Sequence, residues 1–216
     1  MTEESKKAKI AILETAGKIF VEKGYRAATI RQICAQAGVN VAAVNYYFGN
    51  KKKLYASVLN FYKDAAYKKY PLTYGIREND SARSKIASFI HAMMMRIFEE
   101  GYTPWFGKLL LRELIEPTGE LDALIKTHFR PSFLQLASYV RNVLGPSAAQ
   151  TDVFLCAMSI FGQCLYFCNS PSVTRQLVKK KKLSRREIDM FTEHITRFSL
   201  AALDRYRSNP PKVKRT

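Results

Sequence analysis

Acidic charge is scarce in this chain: 18 Asp and Glu stand against 35 Lys and Arg, a formal net charge of +17 over 216 residues. Ten glycines and eight prolines are too few for a fibrous or low-complexity chain. A hydrophobic share of 47% argues against disorder as the main state. The four cysteines, Cys34, Cys156, Cys164 and Cys168, have no CxxC spacing and make no disulfide framework at this length. Buried free thiols are the default, with a thiol or metal sensor as the alternative. His91, His128 and His194 have no ligand spacing to each other or to the cysteines, so neither a metal nor another cofactor is expected. GxSxG, HExxH and phosphate-loop signatures are missing, and so is a paired acid and base, which argues against an enzyme. Lys6, Lys7, Lys9, Glu14 and Lys18 interrupt any apolar leader. The uncharged stretch Val153 to Cys168 would span roughly 24 Å as a helix, short of the ~30 Å hydrocarbon core. A soluble, cytoplasmic protein with no membrane partner is the expectation.

The charge is concentrated at the two ends. Residues 1–60 carry +6 and residues 171–216 carry +9, whereas 61–80 and 81–170 carry +1 each. Basic ends on a neutral middle are an electrostatic footprint for a polyanion. The densest block is Lys179–Lys182 with Arg185 and Arg186, either a solvated loop or a contact to DNA backbone or an acidic partner.

The dominant period is helical, and strand-like alternation is hard to find. Helices are predicted near 6–23, 29–36, 40–48, 51–69, 81–100, 105–116, 118–144, 147–168 and 184–207, with Pro131 kinking or splitting the seventh. Capping-box patterns stand at Thr29–Gln32, Ser147–Gln150 and Ser184–Glu187, and Asn50 precedes a further helix. Gly24 and Gly38 follow helical stretches, where a left-handed residue is wanted.

Residues 29–48, TIRQICAQAGVNVAAVNYYF, have helix-turn-helix spacing: two short helices joined by a few residues that include Gly38. Ile30, Ile33, Val39 and Val44 can pack inward. At 100° per residue, Val41, Ala42, Asn45 and Tyr46 share one side of the second helix and are free to meet a groove. An Asn at position 45 can pair with an adenine edge, and Val41 and Ala42 can meet a thymine methyl.

Residues 8–55 resemble the DNA-binding domain of the TetR/AcrR family of bacterial repressors. The resemblance is carried by Ala16 and Phe20, Gly24-Tyr25, Thr29-Ile30-Arg31, Ile33, Ala35, Ala37-Gly38-Val39 and the run Tyr46-Tyr47-Phe48-Gly49-Asn50-Lys51 leading to Leu54. Asn45 to Gly49, Leu111-Arg112-Glu113 and Pro117 are similar to the CecR-like branch, which controls transporter and drug-tolerance genes. The resemblance implies an all-α fold: an N-terminal three-helix helix-turn-helix domain (1–55), then a larger helical domain for effector binding and dimerisation (56–208), with a basic tail (209–216). It implies DNA contacts by Thr29, Arg31, Tyr47 and Lys51 to phosphates, and by Val41, Ala42, Asn45 and Tyr46 to bases, with Asn40 beside them. Asn45 departs from the aromatic residue more usual at that position.

A sensor cavity needs an apolar lining with a few orienting polar groups. Met94, Trp105, Phe106, Arg112, Phe129, Gln163 and Tyr166 are candidates for a small, largely apolar effector, with plain core as the alternative for each. The helices at 147–168 and 184–207 resemble the pair that builds the family's dimer interface, which places Leu155, Gly162 and Phe198 there. Gly162 costs about 1 kcal/mol relative to Ala inside a helix, and close helix approach would compensate. The expected whole is a homodimeric, ligand-responsive repressor that binds a palindromic double-stranded DNA operator.

Overall fold

Side-chain caps set the helix starts. The computed structural model describes residues 2–98, 103–169, 171–179 and 183–208. Thr2 Oγ1 accepts the Ser5 N–H at the start of α1 (Glu3–Ala27), and Thr29 and Gln32 close a reciprocal capping box on α2 (Ile30–Ala37). Asn40 Oδ1 takes the Ala43 N–H ahead of α3 (Val41–Phe48), and Asn50 Oδ1 takes the Lys53 N–H ahead of α4 (Lys51–Lys69). Each cap satisfies a backbone donor that the first helical turn leaves open. The chain continues through α5 (Ala82–Phe98), α6 (Thr103–Ile115), α7 (Glu120–Leu124), a π-helical turn (Ile125–Phe129), α8 (Arg130–Leu144), α9 (Gln150–Asn169), α10 (Pro171–Leu177) and α11 (Arg185–Ser208). No strand occurs among the described residues. The fold is all-α with an N-terminal helix-turn-helix domain and a larger helical part after it.

Several elements differ from the sequence expectation. The expected seventh helix runs without a gap from Glu120 to Leu144, and instead of a split at Pro131 the turn just ahead of it, Ile125–Phe129, is π-helical. Pro131 brings no N–H and crowds the preceding turn, and a wider turn relieves both problems. The helix expected from residue 147 starts at Gln150 instead. The Gln150 side chain, which a capping box would send back to Ser147, binds Arg141, whose guanidinium also reaches the Ala148 carbonyl. α10 carries no periodic signal and is absent from the sequence expectation. Lys180–Lys182 and the tail 209–216 lie outside the described residues, as does the Cys168 side chain.

The described residues form two compact units. Of the described residues, the first comprises 2–69 together with 103–123, and the second 70–98 with those from 124 onward. In the first unit, Ile12, Ala16, Ile19, Phe20, Ile33, Val44, Leu54, Tyr55 and Val58 are buried to within about 1% of complete. At eight residues each, α2 and α3 are too short to hold as isolated helices. Burial of Ile33 and Val44, about 1.5–3 kcal/mol for each side chain, is what holds them.

The second unit packs α5, α8, α9 and α11 around Ile86, Phe89, Ile90, Met94, Leu136, Val140, Ala157, Ile160 and Ile195. A bidentate pair, Arg83 to Asp204 at 2.6 and 3.0 Å, joins α5 to α11. Burial pushes the Cys164 thiol up to about 12 and also raises Cys156, with Asp152 adding to the latter. Both thiols are therefore protonated at neutral pH and poor nucleophiles.

Candidate nucleic-acid interface

Gly38 sets the turn of the motif. It sits at φ 68°, ψ 31°, the left-handed conformation in which a side chain is costly, and the Val39 N–H behind it returns to the Cys34 carbonyl at 3.0 Å. The Cys34 thiol donates across the turn to the Asn40 carbonyl at 3.6 Å. These bonds fix where α3 leaves α2. One side of α3 then anchors it, with Val44 fully buried and Phe48 at 6% exposure. Val41, Ala42, Asn45 and Tyr46 lie on the opposite side and are exposed, Tyr46 at 83%. An apolar valine and a tyrosine left this open on a rigid, well-capped helix form a surface that nothing in the first unit covers.

The flanking polar residues are held to different degrees. Thr29 and Arg31 are exposed at the start of α2. The Thr29 oxygen already accepts the Gln32 N–H, which leaves its hydroxyl hydrogen to donate. Asn40 has its Oδ1 committed to the α3 cap and keeps its amide N–H groups for other partners. Tyr47 is half-buried, its hydroxyl 3.0 Å from Ser5 Oγ near the start of α1. Lys51 donates to the Arg26 carbonyl at 3.0 Å and lies over the Tyr25 ring at 4.7 Å, so its ammonium is stationed rather than free-swinging. Ser5, Arg26 and Tyr25 thus support the surface. Ser5 and Arg26 have no local signal in the sequence, because their partners lie far away along the chain.

The seven candidate pocket residues are divided between the units. In the first, Trp105 stacks on Tyr62 with ring centroids 6.0 Å apart, beneath the Lys108 ammonium at 4.6 Å, and Phe106 is buried. Arg112 donates to the Val21 and Glu22 carbonyls at 2.8 and 2.7 Å. In the second unit, Met94 is fully buried and Phe129 packs at the core margin. Gln163 donates to the Ser159 carbonyl and the Ser199 hydroxyl, and Tyr166 is 48% exposed.

The second unit also carries an open apolar face. Leu155, Met158, Gly162 and Tyr166 follow one side of α9, and Met190, His194, Phe198 and Ala201 follow one side of α11; all are exposed. A side chain built at Gly162 would meet nothing within 4 Å. Among the described residues of the chain, therefore, no helix approaches closely at Gly162.

Comparison with known proteins agrees with both halves of this description. Residues 12–58 match the model of bacterial regulatory proteins of the tetR family, and residues 82–203 match the C-terminal domain of the HTH-type transcriptional dual regulator CecR. The CecR protein of Shigella flexneri is 27% identical over 175 residues, covering 77% of this chain and 78% of its own. The crystal structure of a TetR-like transcriptional regulator from Rhodococcus sp. RHA1 is similar with a TM-score of 0.69 at 14% identity, covering 91% of this chain and 96% of that one. AibR, solved in complex with isovaleryl coenzyme A and operator DNA, is similar with a TM-score of 0.64 at 17% identity, covering 90% and 97%. At these identities the structural likeness concerns the fold. No helix among the described residues is long and apolar enough to cross a membrane, and no His, Cys, Asp or Glu cluster among them suits a metal ion.

Proposed function

Since the chain belongs to the TetR family, in its CecR-like branch, and is a transcriptional regulator of that type, we propose that it acts as a homodimeric repressor whose paired α3 helices read an inverted-repeat operator until a small, largely apolar effector releases them. The observation that carries this reading is α3 itself. Its inner side is locked by Val44 and Phe48, and its outer side offers Val41, Ala42, Asn45 and Tyr46. An α-helix presented in this way fits the major groove, where Asn45 can read adenine and Val41 and Ala42 can meet thymine methyls. Thr29, Arg31, Tyr47 and Lys51 contact flanking phosphates, with Asn40 adding its amide. These contacts set the register, and the side chains on α3 supply the specificity.

The second copy covers the open face of α9 and α11, with Leu155, Gly162 and Phe198 in the interface. This apolar face supports dimerisation, and Gly162 then admits a helix from the partner. The effector lodges in the helical part after the DNA-binding helices. The near-neutral charge of residues 81–170 and its buried methionines favour a largely apolar ligand over a strongly charged one. Transporter or drug-tolerance genes are the expected targets, and the protein acts in the cytoplasm without a catalytic role.

The test is selection from a random duplex library, followed by binding as a function of salt. An inverted repeat should emerge. With roughly six to ten phosphate contacts per dimer, log affinity should fall steeply with log salt. A flat salt response, or equal affinity for scrambled duplex, would refute the reading.

A further inference from the structure

α6 lies far along the chain from the residues matched as a helix-turn-helix (12–58), yet it belongs to the same compact unit. Arg112 in its last turn and Glu116 just past its end meet the chain at one place. α1 breaks at Gly24, which has φ 80° and ψ 171°, and a short segment, 25–28, carries the chain into α2. A broken helix end leaves carbonyls without partners. Two of them, those of Val21 and Glu22, receive Nε and Nη2 of Arg112 at 2.8 and 2.7 Å. The planar guanidinium suits two neighbouring oxygens, which a lysine ammonium does not span in the same way.

Beyond the break, Glu116 takes over. Its Oε1 accepts the Arg26 backbone N–H at 3.2 Å and lies 3.2 Å from Arg26 Nε. A side chain added at Gly24 would come within 2.6 Å of its other oxygen, which would have to move aside, and the positive φ of the joint itself calls for glycine. Between these two residues, Glu113 is fully buried. It accepts the Thr118 hydroxyl at 2.8 Å and the Thr118 N–H at 3.3 Å, and its charge adds to burial in pushing the Tyr55 hydroxyl above the usual tyrosine range. Tyr55 packs edge-on to Phe20 and against Tyr25, on either side of the Gly24 break. Exposed ion pairs contribute little by themselves. The guanidinium on two carbonyls and the buried, multiply bonded carboxylate are what make this contact stiff.

We propose that Arg112, in the last turn of α6, and Glu116, just past its end, are positioning residues for DNA binding: they hold the joint between α1 and α2 and so set the angle at which α3 is presented. The inference rests on the DNA-binding reading above. It assigns Arg112, from the Leu111-Arg112-Glu113 run, to the geometry of the reading head. A loosened joint lets α2 and α3 swing as a pair, and a dimer is sensitive to such a swing because two half-sites must be met together.

The experiment compares wild type with Arg112→Ala, Arg112→Lys and Glu116→Gln. Duplexes are selected by wild type from a random library, then rebuilt with half-site spacing lengthened and shortened by one base pair. Circular dichroism and equilibrium sedimentation confirm folding and assembly of each variant. Expected for Arg112→Ala is a loss of about tenfold on the selected duplex, comparable to a mismatched base pair, together with a weaker preference for the selected spacing. Arg112→Lys should recover part of each effect. Glu116→Gln keeps the shape of its side chain and should relax spacing preference even if Arg112→Ala fails to fold.

If all folded variants keep wild-type affinity and spacing preference, the proposal is wrong. A loss that merely follows the unfolded fraction, with spacing preference intact, overturns it equally, because that pattern marks a purely structural role. If wild type selects no duplex, the DNA-binding reading itself fails and takes this inference with it.

Discussion

Replacing Gly17 with alanine sets two known effects against each other in the support of the reading head. Gly17 is buried in α1, and a Cβ placed there would lie 2.4 Å from Tyr62 Cε2, 2.7 Å from its hydroxyl oxygen and 2.9 Å from Cζ. Ordinary contact begins near 3.4 Å, so the ring must retreat by about 1 Å. It has little room: Tyr62 is 1% exposed, stacks on Trp105 and donates to the Glu14 carbonyl at 3.4 Å. Overpacking of this kind costs about 1–3 kcal/mol, against a gain of about 1 kcal/mol from removing glycine from a helix interior. With the ring hemmed in, the upper half of the cost applies, and Gly17→Ala should destabilise by about 1–2 kcal/mol. Urea unfolding at fixed protein concentration measures the change, and emission from Trp105, the one tryptophan in the sequence, should shift as its stacking partner moves. In a Tyr62→Leu background the obstacle is gone, and the same substitution should stabilise by about 1 kcal/mol. The cycle should therefore show a coupling of about 2–3 kcal/mol between positions 17 and 62. A variant at least as stable as wild type, with Trp105 emission unchanged, would refute the packing described for α1 and α4.

Asn45→Ala should weaken binding to the selected duplex by about 1–3 kcal/mol and relax preference at one base pair per half-site. Equal losses on specific and random duplex would mean that Asn45 reads no base. Arg31→Ala should instead weaken all duplexes alike and lower the salt slope by about one for each phosphate that is no longer neutralised; an unchanged slope would take Arg31 off the phosphate backbone. Phe198→Glu places a charge on the open face of α11, and equilibrium sedimentation should show monomer; an unaffected dimer would place the interface elsewhere.

Stability of the second unit should fall as pH drops below about 6.5. Burial, and then the Arg185 guanidinium 3.2 Å away, hold His91 below the usual histidine range, while Asp189 opposes the shift in part. The unfolded chain therefore takes up that proton first, so stability rises with pH between the folded and unfolded pKa values. His91→Gln should flatten this slope, and an unchanged slope would show that His91 does not carry it.

The local chemistry of the chain was legible without coordinates because it acts between residues a few positions apart. The Thr29–Gln32 box, the Asn50 cap, the left-handed Gly38 and the two-sided pattern of α3 all depend on spacings of one helical turn, and periodicity exposes them. Family resemblance extended that reading to the architecture. The limit shows at Ser147, where an equally good capping pattern lost to Arg141, a competitor for Gln150 that sits ahead of the pattern and outside it.

Where the long polar side chains go was decided by tertiary structure. Arg112 was a reasonable ligand-orienting residue by type and by its apolar neighbours, and only the fold brings the α1 carbonyls to it from 90 residues away. The same holds for Ser5 with Tyr47 and for Lys51 with Arg26, pairs whose separation follows no period. Residues 103–123 fall within the stretch expected to bind the effector (56–208), and in the structure they pack in one compact unit with α1 and α4. Hydrophobic spacing specifies which face of a helix is buried, but the identity of its neighbour depends on how all the faces close at once. The determinants of helix and turn in this protein are therefore local, and those of the α1–α2 joint are not.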